Sequence, residues 1–236
     1  MRFKALLQRW VWLVVRKQYI EGRFHATTFR LAPTTGNEAH VIMCLWNRPA
    51  RIRPILDMLN DQDYPNGVRL FLWNNKRADH AEYLSGLRQF EAGAGALRRV
   101  DIVKSVINFG SIGRFFWARR IEATKSNSPI IVIDDDQDFD ATFVREAIRA
   151  YDPGAVKAWW AWTVGDSYWT RQPAGADDRV DHVGPGGSVC SSRIFADKRF
   201  FTDIPDEFRM LDDIWLTYFA KQAGLRLAKL PVEMTF

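Results

Sequence analysis

The stretch Ile130-Ile-Val-Ile-Asp-Asp-Asp136 decides the fold, because four β-branched residues are followed directly by three carboxylates. A short β-branched run without polar residues predicts a strand buried on both faces. Adjacent carboxylates repel one another unless a cation neutralises them, and Asp134 and Asp136 can share one side if the strand conformation continues. Their hard oxygens suit Mg²⁺ or Mn²⁺. The stretch therefore indicates either a divalent metal site or a solvated acidic turn that continues through Asp138 and Asp140.

Predicted strands and helices alternate on both sides of this stretch. Short apolar runs predict strands over Val41–Trp46, Val68–Trp73, Val100–Val106, Ile130–Ile133 and the Trp-rich Ala155–Val164. Helical spacing of apolar residues predicts helices over Ala50–Asn60, Ala81–Phe90, Phe115–Lys125, Phe143–Tyr151 and Asp212–Ala223. This alternation predicts an α/β fold with a mostly parallel, Rossmann-like sheet flanked by helices. Ligands of such sheets bind beyond the carboxyl ends of the strands.

Polar residues follow each of the first four predicted strands. They are Asn47 and Arg48, then Asn74 and Asn75, then the glycine-bearing turn 108–113 with Arg114, and finally Asp134, Asp135 and Asp136. Amides, glycines, bases and carboxylates at one sheet edge suit a nucleotide diphosphate bound with a divalent cation, whose shell the phosphates complete. The alternative for Arg114 is a surface position at a helix N-terminus, where the helix dipole does not favour a cation.

The ordered set of motifs resembles the GT-A glycosyltransferases, broadly those of family 2. The resemblance covers about residues 40–230. It rests on the Asp triplet, the Asn108-x-Gly-x-x-x-Arg114 turn, the Asn-Arg exit of the first strand, Gly184-Pro-Gly-Gly-Ser188, and the Asp-Asp pair within Leu211–Leu216. It implies a GT-A domain over residues 40–236, behind a basic amphipathic segment over residues 1–31 and a turn-rich linker over residues 32–39.

The resemblance implies a metal-dependent transferase that takes its sugar from a nucleotide-diphosphate sugar, usually a UDP-sugar. Mn²⁺ or Mg²⁺ would be held by Asp134 and Asp136. The residues expected near the donor are Asn47, Arg48, Asn74, Asn75, Arg114, Asp134 and Asp135. A metal and a preorganised base would stabilise the charge that develops on the diphosphate leaving group. Many relatives add a His after the Asp pair as a ligand, and here no His follows His182.

Asp213 is the candidate general base, since it matches the second residue of the family's acidic pair. The acceptor, expected to be a glycan or a lipid-linked glycan, must lose a hydroxyl proton as it attacks the anomeric carbon, and a carboxylate within reach can accept that proton. The alternative is that Asp212 and Asp213 cap the helix N-terminus. Inversion and retention of the sugar configuration both stay open, because either class can place a residue there.

The chain has ten Trp, four of which lie between residues 159 and 169. In a strand, Trp160 and Trp162 would share one face and Trp159 would take the other. Because aromatic faces suit the C–H faces of sugar rings, we expect the acceptor to contact Trp160 and Trp162. The resemblance implies that Gly186, Gly187 and Asp212 also lie at the acceptor. Core packing is the alternative for these Trp. Four further Trp are expected in the core or the pocket wall: Trp46, Trp73, Trp117 and Trp215.

The net charge of +5 lies at one end of the chain. Residues 1–30 hold seven Lys and Arg against one acid, which leaves 26 bases and 27 acids in the other 206 residues. The nearly neutral remainder argues against nucleic acid as a partner. Arg2, Arg9 and Arg16 line one side of a predicted helix and apolar residues line the other. A helix over residues 1–20 would therefore lie in a membrane interface, or pack on its own domain or a second subunit.

Cysteine content and hydropathy bear on the compartment. Cys44 and Cys190 form no disulfide or metal-binding pattern, which favours a reducing compartment. No apolar run approaches the length of about 20 residues that spans a bilayer. We therefore expect a cytoplasmic protein, held at the inner face of the membrane if the basic helix binds lipid.

Two other functions share these features. A carbohydrate-binding or scaffold module could keep the fold without turnover, although the intact triplet and Asp213 argue against this. A nucleotidyltransferase normally has a glycine-rich loop after the first strand, and Asn47-Arg-Pro-Ala-Arg51 contains no Gly.

Overall fold

A computed structural model describes residues 2–208 and 210–235, and the side chains from residue 10 onward within those ranges. The described α-helices are α1 (Arg2–Ile20), α2 (Ile52–Asn60), α3 (His80–Arg88), α4 (Phe115–Thr124), α5 (Phe143–Ala150), α6 (Arg199–Thr202) and α7 (Asp212–Gln222). The described strands are β1 (Thr27–Arg30), β2 (Ala39–Leu45), β3 (Val68–Asn74), β4 (Leu97–Lys104), β5 (Pro129–Ile133), β6 (Asp138–Phe139), β7 (Ala155–Ala158), β8 (Ala161–Thr163), β9 (Gln172–Pro173), β10 (His182–Val183), β11 (Ser188–Ser191), β12 (Arg226–Lys229) and β13 (Met234–Thr235).

The main sheet has eight strands in the order β1-β4-β3-β2-β5-β11-β7-β12. Strands β2 to β5 are parallel to one another, whereas β1 and β11 run antiparallel to their neighbours. Helices cover both faces, which is why the strands are apolar on both sides. In β5, Ile130 and Val132 enter one hydrophobic cluster, and Ile131 and Ile133 enter the other. The predicted α/β fold with a mostly parallel sheet is confirmed.

The Trp-rich strand predicted over Ala155–Val164 is divided in the structure. β7 ends at Ala158 and stays in the main sheet, whereas β8 begins at Ala161 and pairs with β9 and β10 in a separate three-stranded sheet. Between them, the Trp159 N–H donates to the Gly187 carbonyl (2.8 Å), and the Trp160 carbonyl accepts from the Gly184 N–H (2.8 Å). The backbone between β7 and β8 is therefore bonded to the glycine-rich segment, which interrupts the ladder.

The N-terminal segment takes part in the fold. β1 pairs antiparallel with β4 at the edge of the main sheet, and α1 packs on the core through Val15, Tyr19 and Ile20. Tyr19 meets the buried Trp73 edge-on, with the ring centroids 5.0 Å apart. Among the α1 side chains that the structure describes, those towards the C-terminal end of the helix make this contact with the domain. Within the described residues, no helix has the length and the apolar character needed to cross a membrane.

The Trp residues expected in the core or the pocket wall divide into two groups. Trp73, Trp117 and Trp215 are buried, as predicted. Trp46 is not in the core, because 49% of this residue is exposed, and the pocket wall stays the prediction for it. β2 ends at Leu45, so Trp46 has already left the sheet where its side chain would be covered.

Candidate active site

At the carboxyl ends of β2 and β5, the residues that follow β2 lie against the Asp triplet that follows β5. The two strands are parallel neighbours, with Met43 opposite Ile133. The backbone N–H of Trp46 donates to Asp135 Oδ2 (3.2 Å), and the Arg48 guanidinium reaches Asp135 (2.6 Å) and Asp136 (3.2 Å). Part of the charge of the triplet is thus neutralised by a guanidinium of the same chain.

Asp135 serves as the anchor between these two strand ends. Burial raises its pKa above the ordinary value, and the hydrogen bonds from Trp46 and Arg48 only partly oppose this effect. Its carboxylate is occupied by protein donors on both oxygens. Asp136 is more open, since 42% of its side chain is exposed and its ion pair to Arg48 is longer.

Arg114 is buried at the centre of the site, with 2% of the residue exposed. Its Nη1 donates to Asp134 Oδ1 (2.5 Å) and to the Ile133 carbonyl (3.0 Å). Its Nε and Nη2 both donate to Asp212 Oδ2, at 3.2 and 2.8 Å. The surface alternative for Arg114 is therefore excluded. One guanidinium joins the end of β5 to the start of α7.

Asp212, at the start of α7, is the second carboxylate that binds the Arg114 guanidinium. Burial raises its pKa, although the positive charge of Arg114 acts in the opposite direction. The carboxylate, which the sequence predicts at the acceptor, is buried against Arg114. Any effect of Asp212 on the acceptor would therefore be exerted through Arg114 and Asp134.

Asn74 and Asn75, predicted near the donor, have buried side chains that hold loops in place. Asn75 Nδ2 donates to the Gly110 carbonyl (2.7 Å), and its Oδ1 accepts from the Phe109 N–H (3.1 Å). Asn74 Oδ1 accepts from the Lys76 N–H (2.9 Å). The Asn75 amide therefore shapes the turn that delivers Arg114. Asn47 lies at the rim of the site, where its amide oxygen accepts from the Lys76 ammonium.

The glycine-rich segment lies directly against Asp134. A Cβ on Gly186 would come within 2.0 Å of Asp134 Oδ2 and 2.7 Å of Gln137 Nε2, so a larger residue here would force these side chains to move. Gly187 has a φ of +72° and donates its N–H to the Val132 carbonyl (2.8 Å). Close by, Gln137 Oε1 accepts from the Asp134 N–H (2.9 Å). The buried Gln137 Nε2 has no hydrogen-bond partner among the described residues.

Asp213 faces a histidine that the sequence leaves unassigned. His182 Nε2 lies 3.4 Å from Asp213 Oδ2, and His182 Nδ1 lies 3.2 Å from the Thr217 hydroxyl oxygen. Burial tends to raise the pKa of Asp213, but the hydrogen bonds from His182 and the Ile214 N–H outweigh it and lower the pKa below its ordinary value. Asp213 is therefore an ionised carboxylate held by an imidazole at neutral pH.

The Trp pair predicted at the acceptor forms a stack. The rings of Trp160 and Trp162 lie 5.2 Å apart at an interplanar angle of 18°, and both residues are half-buried. Trp159 packs against one hydrophobic cluster, and its ring also meets the Trp160 ring edge-on with the centroids 4.8 Å apart. The predicted separation of Trp159 from Trp160 and Trp162 by the two faces of one strand is therefore wrong, because the strand is broken between them. Gly184 lies close to Trp160, where an added Cβ would meet the Trp160 Cβ at 2.9 Å. The stack and the glycine-rich segment are thus neighbours.

Comparison with known proteins adds evidence on the fold. No family model and no curated protein sequence matches the chain. Among solved structures, the crystal structure of S. aureus TarS, a GT-A glycosyltransferase, is similar over 82% of this chain, with a TM-score of 0.51 and 15% sequence identity. The chain has the GT-A fold. It spans 35% of the length of the TarS chain, and at this identity the similarity concerns architecture.

In a GT-A fold, a divalent cation would be held where the Asp triplet lies. Among the described residues, no group of three or more His, Cys, Asp or Glu side chains is arranged to hold a metal ion. Asp134 keeps Oδ2 outside its ion pair with Arg114, and Asp136 is partly open. These two carboxylates fit Mg²⁺ or Mn²⁺ only as a partial shell of hard oxygens that substrate phosphates and water complete.

Proposed function

We propose that this chain is a glycosyltransferase that moves a sugar from a nucleotide-diphosphate sugar, with UDP as the expected nucleotide, to a hydroxyl of a glycan or a lipid-linked glycan. The observation that carries the proposal is the Arg114 bridge. It connects Asp134, at the predicted donor side, with the Asp212-Asp213 pair, at the predicted acceptor side. This bridge supports the proposal that the donor-side and acceptor-side carboxylates act in one site.

The donor side is suited to a diphosphate leaving group. Negative charge develops on the diphosphate oxygens as the bond to the anomeric carbon breaks, and fixed positive charge stabilises it. Arg48 is half exposed beside Asp136 and can turn its remaining N–H groups towards a phosphate. A bound Mn²⁺ or Mg²⁺, held by Asp134 and Asp136, would add Lewis-acid stabilisation of the same oxygens. The unpartnered Gln137 Nε2 offers a neutral donor nearby.

The acceptor side contains the proton acceptor. Asp213 takes the hydroxyl proton as the acceptor oxygen bonds to the anomeric carbon. His182, fixed by Thr217, orients the Asp213 carboxylate. The stacked Trp160 and Trp162 would receive a sugar face of the acceptor. Both stereochemical outcomes remain compatible with this arrangement.

The N-terminal helix would hold the enzyme at an anionic membrane surface, on the cytoplasmic side. Trp10 is 62% exposed and Leu13 is 43% exposed, and Lys17 lies exposed on the same helix. Exposed aromatic and apolar residues beside basic ones are complementary to a lipid surface with anionic headgroups. Sedimentation with phosphatidylglycerol vesicles would measure this. We expect Trp10→Ala to reduce the bound fraction, and equal binding by both proteins would contradict it.

Donor hydrolysis in the absence of acceptor tests the enzymatic proposal. The purified chain is incubated with UDP-sugars, with and without Mn²⁺, and released UDP is measured. We expect metal-dependent release that Asp136→Ala abolishes and Asp61→Ala preserves, because Asp61 is exposed at the end of α2. Release that persists in Asp136→Ala would refute the metal assignment. Metal-dependent UDP binding without turnover on any acceptor would favour the non-catalytic module.

A further inference from the structure

A separate cavity of about 480 Å³ lies at the amino ends of the parallel strands. The candidate active site follows the carboxyl ends of the same strands, so the two sites lie at opposite edges of the sheet. His40, Arg69 and Arg99 stand near the starts of β2, β3 and β4. The other walls are the chain before β1 and the helix α4. We call this space the Arg cavity, lined by His25, Thr28, His40, Arg69, Arg99, Asp101, Arg120 and Thr124 together with apolar residues.

The Arg cavity carries an excess of positive charge. Among the described residues that line it, three carry guanidiniums, Arg69, Arg99 and Arg120, and one, Asp101, carries a carboxylate. Asp101 is 2% exposed and accepts hydrogen bonds from Arg69 (2.9 Å), Arg99 (2.7 Å) and the Thr28 hydroxyl (2.5 Å). One buried carboxylate cannot balance three guanidiniums, so the cavity attracts anions.

The guanidiniums are held in fixed positions. Asp101 fixes Arg69 and Arg99 side by side, and Arg120 stacks on Phe24 with its Cζ 4.5 Å from the ring centroid. The Nη1 groups of Arg69 and Arg99 make no hydrogen bond to another described residue. Planar, preorganised guanidiniums with unused N–H groups are the preferred protein partners of phosphate.

The volume and the lining together limit the ligand class. A cavity of this size lies within the range of small-molecule sites. The aromatic residues of its wall are already packed: Phe24, Phe71 and Trp117 are buried. What the cavity presents is therefore polar and cationic, which suits a compact anion of more than one charge.

We propose that the Arg cavity binds a phosphate-bearing small molecule at a second site, distinct from the donor site. This inference goes beyond the proposed transferase activity and does not depend on it. Pyrophosphate is the probe, because it is compact and multiply charged. Calorimetric titration of the full chain in EDTA removes any contribution from a divalent cation at the Asp triplet.

Charge variants of the lining decide the outcome. We expect Arg120→Gln to weaken pyrophosphate binding at least tenfold, and the exposed Arg149→Gln on α5 to leave it unchanged. Thr124→Glu keeps all three guanidiniums and adds a carboxylate at the rim, so it should weaken binding similarly if Arg120→Gln fails to fold. Equal affinities in the wild type, Arg120→Gln and Thr124→Glu would overturn the proposal.

His40 supplies a local readout by NMR. Burial lowers its pKa to about 4, together with the charges of Arg69 and Lys125, whereas Glu38 acts in the opposite direction. A bound anion would raise this pKa, so the His40 resonances should move on titration with pyrophosphate. Arg48→Gln removes a cation from the donor side, outside the Arg cavity, and should leave the shift unchanged. Pyrophosphate that leaves His40 unchanged, or whose effect is lost in Arg48→Gln, would belong to the donor site and would also overturn the proposal.

Discussion

Replacement of Arg114 by Met removes the buried guanidinium and keeps most of the side-chain volume. Counting its three hydrogen bonds to carboxylates at about 1.5–3 kcal/mol each would give about 5–9 kcal/mol. That figure is too large, because 35% of the Asp134 side chain is exposed and water can replace its contact. Asp212 is buried, so water cannot replace its contact with Arg114. The expected loss of stability is therefore that of one broken buried ion pair, about 3–5 kcal/mol.

Urea unfolding measures this loss, and pH provides a second test. Without Arg114, the folded-state pKa of Asp212, already raised by burial, rises further above its unfolded value of about 3.9. Between these two values the native state retains a proton that the unfolded state has released. Stability of the variant therefore falls as pH rises through this window. The difference in the free energy of unfolding between the wild type and Arg114→Met should therefore be large at neutral pH and should shrink towards about pH 4.

A second substitution tests whether the loss of stability comes from the Asp212 carboxylate, which Arg114→Met leaves buried without its positive partner. Arg114→Met combined with Asp212→Asn removes both members of the buried pair, and replacing a whole buried pair is often close to neutral. We expect the double variant to recover most of the stability lost by Arg114→Met. A loss below about 1 kcal/mol in Arg114→Met, or a loss that does not vary with pH, would refute the argument that the guanidinium neutralises Asp212.

Three further predictions follow from single contacts. Gly186→Ala should abolish donor hydrolysis, because the added Cβ would displace Asp134. The control is Gly154→Ala, whose Cβ would meet Asp152 Oδ1 at 3.3 Å, and this variant should retain hydrolysis. His182→Phe should move the acid limb of the kcat/KM profile to higher pH, because Asp213 loses a hydrogen bond that lowers its pKa; an unshifted limb would exclude this role. Tyr19→Phe removes the acceptor of the Val106 N–H. Because Val106 is half exposed, the loss in urea unfolding should be about 0.5–1.5 kcal/mol, and an unchanged free energy of unfolding would show that water replaces the bond.

Local sequence is sufficient to place most of the fold. The run Ile130–Ile133 is β-branched throughout, so its residues can only be buried in a strand. Helical periodicity locates α2, α4 and α7 to within two residues at each end. The polar residues after the strands then gather at one edge because parallel strands align their carboxyl ends. The positions of Asp134–Asp136 and Arg114 near one site were predictable for this reason.

The contacts within the site depend on the tertiary structure. Sequence order predicts that Arg48 and Arg114 lie near carboxylates, but the pairing of Arg114 with Asp134 and Asp212 requires the start of α7 to lie near the end of β5. The link between His182 and Asp213 has only one local signal, the position of His182 just before the glycine-rich segment.

The physical reason is that hydrophobic periodicity is read along the chain, whereas ion pairs and hydrogen bonds are selected in space. Asn74 and Asn75 illustrate the difference, since the sequence predicts amides at a binding edge and the structure turns them inward to support loops. The sequence by itself thus determined the sheet and which side chains reach its carboxyl edge. The packing of α7 and the loops decided which charges meet there, because that depends on distances of a few ångströms between segments far apart in the chain.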